Sequence, residues 1–594
     1  MDSHAPRVWH SRLERGRRPR SSNGKHAVTY DSHRIKMLSS FLANSRMKSM
    51  SGPHKFRSDL IVLVAICGFL FFYGLGAFGL VGADEPRYAQ VAREMLERHD
   101  WITPTLGHVP WLEKPVLLYW EEMTAFSIFG VSDWAARLPS AFSASMMIAA
   151  IYLFVRRFRR GSEMDGALMT ASSAAVIGFA RAAATDMPLA ANFSIAMLAW
   201  YAWRESGERR WLLACYGFLG LATLAKGPVG VGLFALIVLV FAAAHGSWQR
   251  FRETIAGTLW WPGIVAFLVV TLPWFIVVQL RNPGFFHVFI LEHNLARFGT
   301  NLYRHQQPFW YYVPVALVGL LPWIVFVVAS VVETIRGWRG EGKTLLESED
   351  SLDVFLLLWL AIPILFFSIS QSKLPGYILP ALPAGALLVA SFVRRHTSSG
   401  AANSTGMEPV GKTQLFLHSL FASILVVPAI VIRYLILVQR LPWGIGTLVA
   451  CIVAMIFTVG IFLALRSRYG LGLLRVATLV PAVLAVGLIL RQGGAALDEQ
   501  DSARTVAASL AKGAPVSMPV AVFQVNRQTE YGLHFYRNQP VSNYDRGEIP
   551  AAAHLLVAKE GAQHDLGQVI GSRSLKLIGS NSAQHLEYYR VSSR

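Results

Sequence analysis

Unbroken apolar stretches recur about 13 times along this 594-residue chain, each close to the roughly 20 residues that carry an α-helix across a hydrocarbon core. No other feature narrows the fold as far. Backbone inside lipid must satisfy its own hydrogen bonds, and runs of this length do so as helices. They start near Leu60, Ala136, Ala167, Leu189, Trp211, Val229, Pro262, Phe309, Leu352, Tyr377, Leu415, Gly444 and Leu471. The predicted fold class is an α-helical polytopic membrane protein of about 13 transmembrane helices. A hydrophobic content of 53% against 15% charged residues agrees with it.

Three domains are expected. Residues 1–57 carry 13 Lys/Arg against 3 Asp/Glu, so this tail holds about half of the net charge of +19. It is polar and aperiodic, and reads as a disordered basic cytoplasmic tail near anionic lipid rather than a nucleic-acid binder. No cleavable signal peptide is expected, because the first apolar run is long and no small-residue cleavage site follows it. Residues 58–490 form the transmembrane domain, with a large outer loop at 83–135. In 491–594, VAVF, HLLVAK, LKLIG and HLEYYRV read as strands and SARTVAASLAKG as a helix, giving a small soluble α/β domain. Cys67, Cys215 and Cys451 all fall in apolar runs, far apart, and read as core residues, not a disulfide or metal set.

Basic residues in short loops orient the spans. Arg156, Arg157, Arg159 and Arg160 mark a cytoplasmic loop, and alternate loops carry Arg204, Arg209 and Arg210; Arg250 and Arg252; Arg336, Arg339 and Lys343; Arg394 and Arg395; and Arg466, Arg468 and Arg475. The remaining loops face outward, and they hold nearly every unusual polar residue.

Asp84-Glu85 opens the richest of these loops, where the first apolar run breaks into charge. Carboxylates at the mouth of a membrane segment are costly and tend to be kept for chemistry or ion pairing. Tyr88, Val91, Ala92, Met95 and Leu96 then recur at helical spacing, with Arg87, Gln90, Arg93, Glu94, Glu97 and Arg98 opposite, as in a helix lying along the membrane surface. Asp followed by Pro in a first turn is also a helix-start signal, so Asp84 reads either as a cap or as a catalytic carboxylate. Glu113-Lys114, with Tyr119 just beyond, adds a cation suited to an interfacial phosphate. In the other outer loops, Asp186 begins a span and Lys226 ends one, where it can snorkel toward headgroups. Glu292, His293 and Arg297 sit in FFHVFILEHNLARFG, where His293 and Arg297 would share an α-helical face. Lys373 and Tyr377 lie in SQSKLPGYILP. Singly, each has a bland reading as an anchor, a packed polar residue or a solvated pair. Together they describe a basic outer chamber for a lipid-linked phosphate, with carboxylates placed to orient an attacking oxygen.

GADEPRYAQVAREML, WLEKPVLLYW, DMPL, AKGP, EHNLARF and SKLPGYILP, in this order over residues 60–390, resemble the polyprenyl-phosphate-sugar-dependent glycosyltransferases of the C superfamily. The likeness is to their protein mannosyltransferase-like group, which includes the 4-amino-4-deoxy-L-arabinose lipid A transferases. The resemblance implies a bacterial inner-membrane enzyme with its site facing outward. It would move a sugar, with inversion, from an undecaprenyl-phosphate-linked donor to lipid A or another envelope acceptor, among membrane lipids and without nucleic acid. It makes Asp84 the catalytic carboxylate, supported by Glu85, Asp186 and Glu292. Arg87, Lys114, Tyr119, Lys226, His293, Arg297, Lys373 and Tyr377 become donor- or phosphate-binding residues. It offers Glu113 as the ligand of a divalent metal; the residues themselves imply no cofactor. Trp111 and Pro115-Val116 depart from the usual Tyr and paired prolines of the WLEKP stretch, which bears on the sugar or acceptor more than on the reaction. A transporter would need ionisable groups near the bilayer midplane, broken helices and often a repeat, whereas here the charges sit at the outer edge and no repeat is seen. A protein O-mannosyltransferase-like enzyme, another envelope-glycan transferase and a lipid-linked glycan ligase or polymerase remain the neighbouring alternatives.

Overall fold

The computed structural model describes residues 53–296, 307–341, 351–398, 410–424, 426–427, 443–467, 470–515 and 517–593. The chain divides into Met1–Leu60 and Ile61–Arg594, and the second unit holds every element discussed below. Of the expected basic tail, only residues 53–57 are among those described.

Among the described residues, six helices are long and apolar enough to cross a membrane: Asp133–Phe158, Trp261–Arg281, Ser351–Ile369, Pro375–Thr397, Leu448–Arg466 and Gly470–Arg491. A seventh crossing results if Phe309–Gly319 and Ile324–Gly340, which meet at 117°, count as one bent span. This is a multi-pass membrane protein. Other apolar runs form helices that fall short of that length or uniformity, such as Asp186–Ser206, Arg209–Lys226 and the 16-residue Val229–Ala244. The run from Ala167 is broken into Glu163–Ala171 and Ala174–Ala180. At the break the Ser172 and Ser173 hydroxyls donate to the carbonyls of Leu168 and Met169, and the Ala174 amide donates to the Leu321 carbonyl of another element. Side-chain bonding of this kind competes with the helix ladder. Small residues bring helices close. A Cβ on Gly220 would meet Val270 at 2.8 Å, so Arg209–Lys226 and Trp261–Arg281 approach through that glycine.

Asp84–Glu97 is a helix, but it does not lie with one face on lipid and the other in water. Its apolar residues pack on the helix Leu117–Phe129 through Val116, Leu118, Tyr119 and Met123. Its polar residues Glu85, Arg87, Gln90 and Glu94 are buried as well. The short antiparallel pair β1 (Thr105–Leu106) and β2 (Val109–Pro110) closes one side. Glu94 holds it, accepting from the Thr105 hydroxyl at 2.7 Å and from the Gly107 and His108 amides at 2.8 and 3.0 Å. The helix Arg527–Arg537 from the far end of the chain covers the rest.

That C-terminal part is built on five strands, β3 (Val520–Phe523), β4 (Val541–Asn543), β5 (His554–Lys559), β6 (Leu575–Asn581) and β7 (Leu586–Val591), in the order β4-β3-β5-β7-β6. β3 runs parallel to β4 and β5, while β7 is antiparallel to β5 and β6. Alternation sorts the faces. Val520, Val522, Leu555 and Val557 meet Val506 and Leu510 of the helix Ala503–Gly513 and Leu533 of Arg527–Arg537. Ala521, Phe523, Leu556 and Ala558 meet Leu566 and Ile570 of the helix Gln563–Ile570. The β4 strand and the latter two helices had no counterpart in the sequence reading.

Candidate active site

Asp84 is the first residue of its helix; the cap position is Ala83, and no side chain caps the turn. The cap role is therefore overturned. The Asp84 carboxylate pairs instead with Arg87, one turn on, and its side chain is 52% exposed. Arg87 is buried and also lies 3.7 Å from Glu113. Lys114 follows directly and is buried too.

Glu85 has a different task. Its carboxylate takes both Nε and Nη2 of Arg137, at 3.0 and 2.7 Å, and the amides of Val81 and Ala183, each at 2.8 Å. Arg137 spends its remaining donors on the carbonyls of Leu75, Phe78 and Gly79. The pair is almost wholly buried, with side-chain exposures of 1% and 7%. A forked guanidinium–carboxylate pair of this kind fixes geometry as well as charge. It ties the first loop to the Asp133–Phe158 helix and to the turn before Asp186.

Asp186 also opens its helix, three residues after the Ala183 amide that Glu85 holds. It pairs with Lys226 at 2.6 Å, both side chains largely buried. Lys226 therefore does not snorkel outward; a carboxylate at hydrogen-bond distance holds it. The Lys226 ammonium lies 5.2 Å from the centre of the Tyr377 ring. Gly376 passes so close to Asp186 that a Cβ there would strike the carboxylate. Tyr88 lies against the first pair, its hydroxyl accepting from Nη2 of Arg87 at 3.4 Å. Burial foremost, and then the Asp84 carboxylate, raises its phenol pKa; Arg87 opposes this, and Asp186 and Glu113 add to it. Of these carboxylates, Asp84 and Glu113 belong to the 83–135 loop and Asp186 to another.

Other expected site residues fare differently. Tyr119 is fully buried beneath Tyr88, ring centres 6.1 Å apart, and belongs to the core under the site. Lys373 is buried and donates to the Ser370 carbonyl at 2.6 Å, within its own turn. Glu292 pairs at 3.2 Å with His287 of the same segment. That segment winds as a π-helix over His287–Ala296 and not as an α-helix. The His293 side chain and Arg297 lie outside the described residues. Cys67 and Cys215 are buried, whereas Cys451 is exposed, contrary to its expected place in a core.

A metal does not fit the described residues. Among them no three His, Cys, Asp or Glu side chains stand together as ligands, and Glu113 faces a guanidinium.

Sequence reading missed Arg137, Tyr88 and Tyr531. Arg137 looked like the ordinary edge of a span, and Tyr88 like one member of an apolar stripe. Tyr531 lies 443 positions from Tyr88, beyond the reach of any local pattern.

The sequence profile of the family described as dolichyl-phosphate-mannose-protein mannosyltransferase matches residues 58–289. The fold is similar to that of ArnT from Cupriavidus metallidurans bound to undecaprenyl phosphate, with a TM-score of 0.72 at 23% identity, covering 89% of this chain and 97% of the other. It is also similar to the archaeal oligosaccharyltransferase AglB from Archaeoglobus fulgidus, with a TM-score of 0.50 at 11% identity over 89% and 73%. This chain shares its architecture with both of those proteins. Within it, the chain resembles the undecaprenyl phosphate-alpha-4-amino-4-deoxy-L-arabinose arabinosyl transferases. That of Serratia proteamaculans is 32% identical over 354 residues, 58% of this chain and 60% of the relative. That of Yersinia pestis is 31% identical over 311 residues, 52% and 54%. The match thus spans little more than half the length of these curated relatives.

Proposed function

We propose that this chain is an inner-membrane glycosyltransferase that moves a sugar from an undecaprenyl-phosphate-linked donor to lipid A, with 4-amino-4-deoxy-L-arabinose as the sugar. One observation carries the reading: Arg87 is set between Asp84 and Glu113, and Glu85 ties that loop to the turn before the buried Asp186–Lys226 pair, within a fold similar to ArnT. About 13 crossings, oriented by the basic loops, put the 83–135 loop and a soluble domain at 491–594 outside the cytoplasm.

In the reaction the bond between the sugar's anomeric carbon and the donor phosphate oxygen breaks, and the acceptor oxygen bonds to that carbon from the opposite face, inverting it. The bond's electrons leave with the lipid phosphate. Arg87 and Lys114 stabilise that growing negative charge. Glu113 orients Arg87, and Lys226, held by Asp186 beside Tyr377, adds a second cation to the chamber. A lipid A phosphate is already anionic at neutral pH, so Asp84 positions the acceptor and takes no proton from it. For a hydroxyl acceptor, as in a protein mannosyltransferase-like reaction, Asp84 would be the general base. The match of residues 58–289 to the mannosyltransferase profile supports keeping that second reading.

Mass spectrometry of lipid A from cells with and without the gene tests the substrate. Loss of an aminoarabinose mass increment is expected on deletion, and unchanged lipid A together with a missing glycan on envelope proteins would favour the second reading. Asp84→Asn should insert normally and abolish transfer; an active variant would remove Asp84 from the chemistry.

A further inference from the structure

The Arg87 guanidinium is enclosed by three aromatic rings drawn from three parts of the chain. Its central carbon lies 5.1 Å from the ring centre of Tyr88, 5.3 Å from Trp111 and 5.5 Å from Tyr531. Trp111 and Tyr531 meet edge to face, centres 6.3 Å apart at 73°. Rings packed around a planar cation leave its edge for hydrogen bonds. That edge serves Asp84, and the buried Nε donates to no partner among the described residues.

Tyr531 comes from the C-terminal sheet-and-helix part, and its placement is not loose. Four residues on, the Phe535 carbonyl accepts from Arg93 at 3.3 Å. The Tyr536 hydroxyl donates to Asp133 at 2.6 Å and accepts from the Leu80 amide at 2.7 Å. Asn538 donates to Glu97 at 3.1 Å. These bonds straddle the first loop and hold the Arg527–Arg537 helix on it, so Tyr531 cannot leave Arg87 without undoing them.

We propose that Tyr531 is a positioning residue for the transfer reaction: its ring completes the aromatic box that sets the plane of Arg87 against Asp84. The C-terminal part is then a wall of the active site and not a separate cap. The inference rests on the reading of Arg87 as a donor-phosphate ligand.

The test is binding of undecaprenyl phosphate to the purified full-length chain, read by native mass spectrometry, in a cycle with Arg87→Ala. Tyr531→Leu should weaken binding about 2- to 30-fold, the equivalent of the ~0.5–2 kcal/mol typical of a cation–π contact. Tyr531→Phe, which keeps the ring face, should restore most of the affinity. In the Arg87→Ala background, Tyr531→Leu should have no further effect, because the contact it removes is already gone. If Tyr531→Leu does not fold, Tyr531→Met fills a similar volume without a ring face and takes its place. Parental affinity in the Tyr531 variant, equal weakening by Phe and Leu, or full additivity with Arg87→Ala would each overturn the proposal. If Arg87→Ala itself binds undecaprenyl phosphate as tightly as the parent, the donor-site reading fails, and this inference with it.

Discussion

Two neighbouring carboxylates with opposite duties make a sharp experiment. Glu85 accepts four hydrogen bonds in a nearly dry site, two from Arg137 and two from backbone amides. Glu85→Gln keeps the shape but removes the charge facing Arg137 and turns one end into a donor aimed at donors. Breaking one partner of a buried pair costs about 3–5 kcal/mol, a large share of the roughly 5–15 kcal/mol that holds an ordinary domain together. Asp84→Asn alters a pair whose acid is half exposed, where ~0–1 kcal/mol is at stake. Thermal unfolding of the purified full chain in detergent, followed by tryptophan fluorescence beside a transfer assay, should therefore separate the two. Glu85→Gln lowers the midpoint strongly and drags activity down with it; Asp84→Asn leaves the midpoint alone and removes activity. Adding Arg137→Met to Glu85→Gln should recover part of the loss by removing the stranded charge. Recovery stays incomplete because the carbonyls of Leu75, Phe78 and Gly79 lose their donor. A Glu85→Gln midpoint equal to the parent's would refute the anchor.

Gly376→Ala should push the Asp186 carboxylate away from Lys226 and reduce transfer by roughly 10²-fold, as a misplacement of about 1 Å can do, with little change in folding; undiminished activity would detach Asp186 from the site. Lys226→Met, by stranding Asp186, should lower both stability and activity more than Lys226→Arg, measured in the same two assays. His534, packed beside Gly107 and Glu94, has its pKa lowered to about 4 by burial, with Glu94 opposing. Between pH 6.5 and 4 the unfolded chain binds a proton there that the folded chain does not, so stability falls as the pH drops through that window. His534→Phe should flatten the dependence of the unfolding midpoint on pH over the same range; an unchanged slope would place the titration elsewhere.

The apolar runs were legible because lipid imposes one solution on a long hydrophobic stretch, and even the weakest run proved helical, though broken at Ser172-Ser173. The expense of Asp84-Glu85 was legible too. Which residue answers each carboxylate was not, since Glu85 meets Arg137 52 positions away and Asp186 meets Lys226 40 positions away. Periodicity identified two faces on Asp84–Glu97 without saying what covers them. Protein covers the apolar face and most of the polar one, leaving Glu97 exposed, and an amphipathic pattern is the same whether its apolar side meets lipid or a neighbouring helix. The π-helix at His287–Ala296 left no readable mark in composition.

The bond between the Leu80 amide and the Tyr536 hydroxyl joins residues 456 positions apart. During synthesis at about 5–20 residues per second, the first loop is made roughly 20–90 seconds before the side chains that clamp it. Throughout that interval the corner bearing Asp84 lacks its lid of aromatic residues, and a truncated product never gains it. A chain that ends before the C-terminal strands thus carries most of its spans without Tyr531, Phe535 and Tyr536 over that corner.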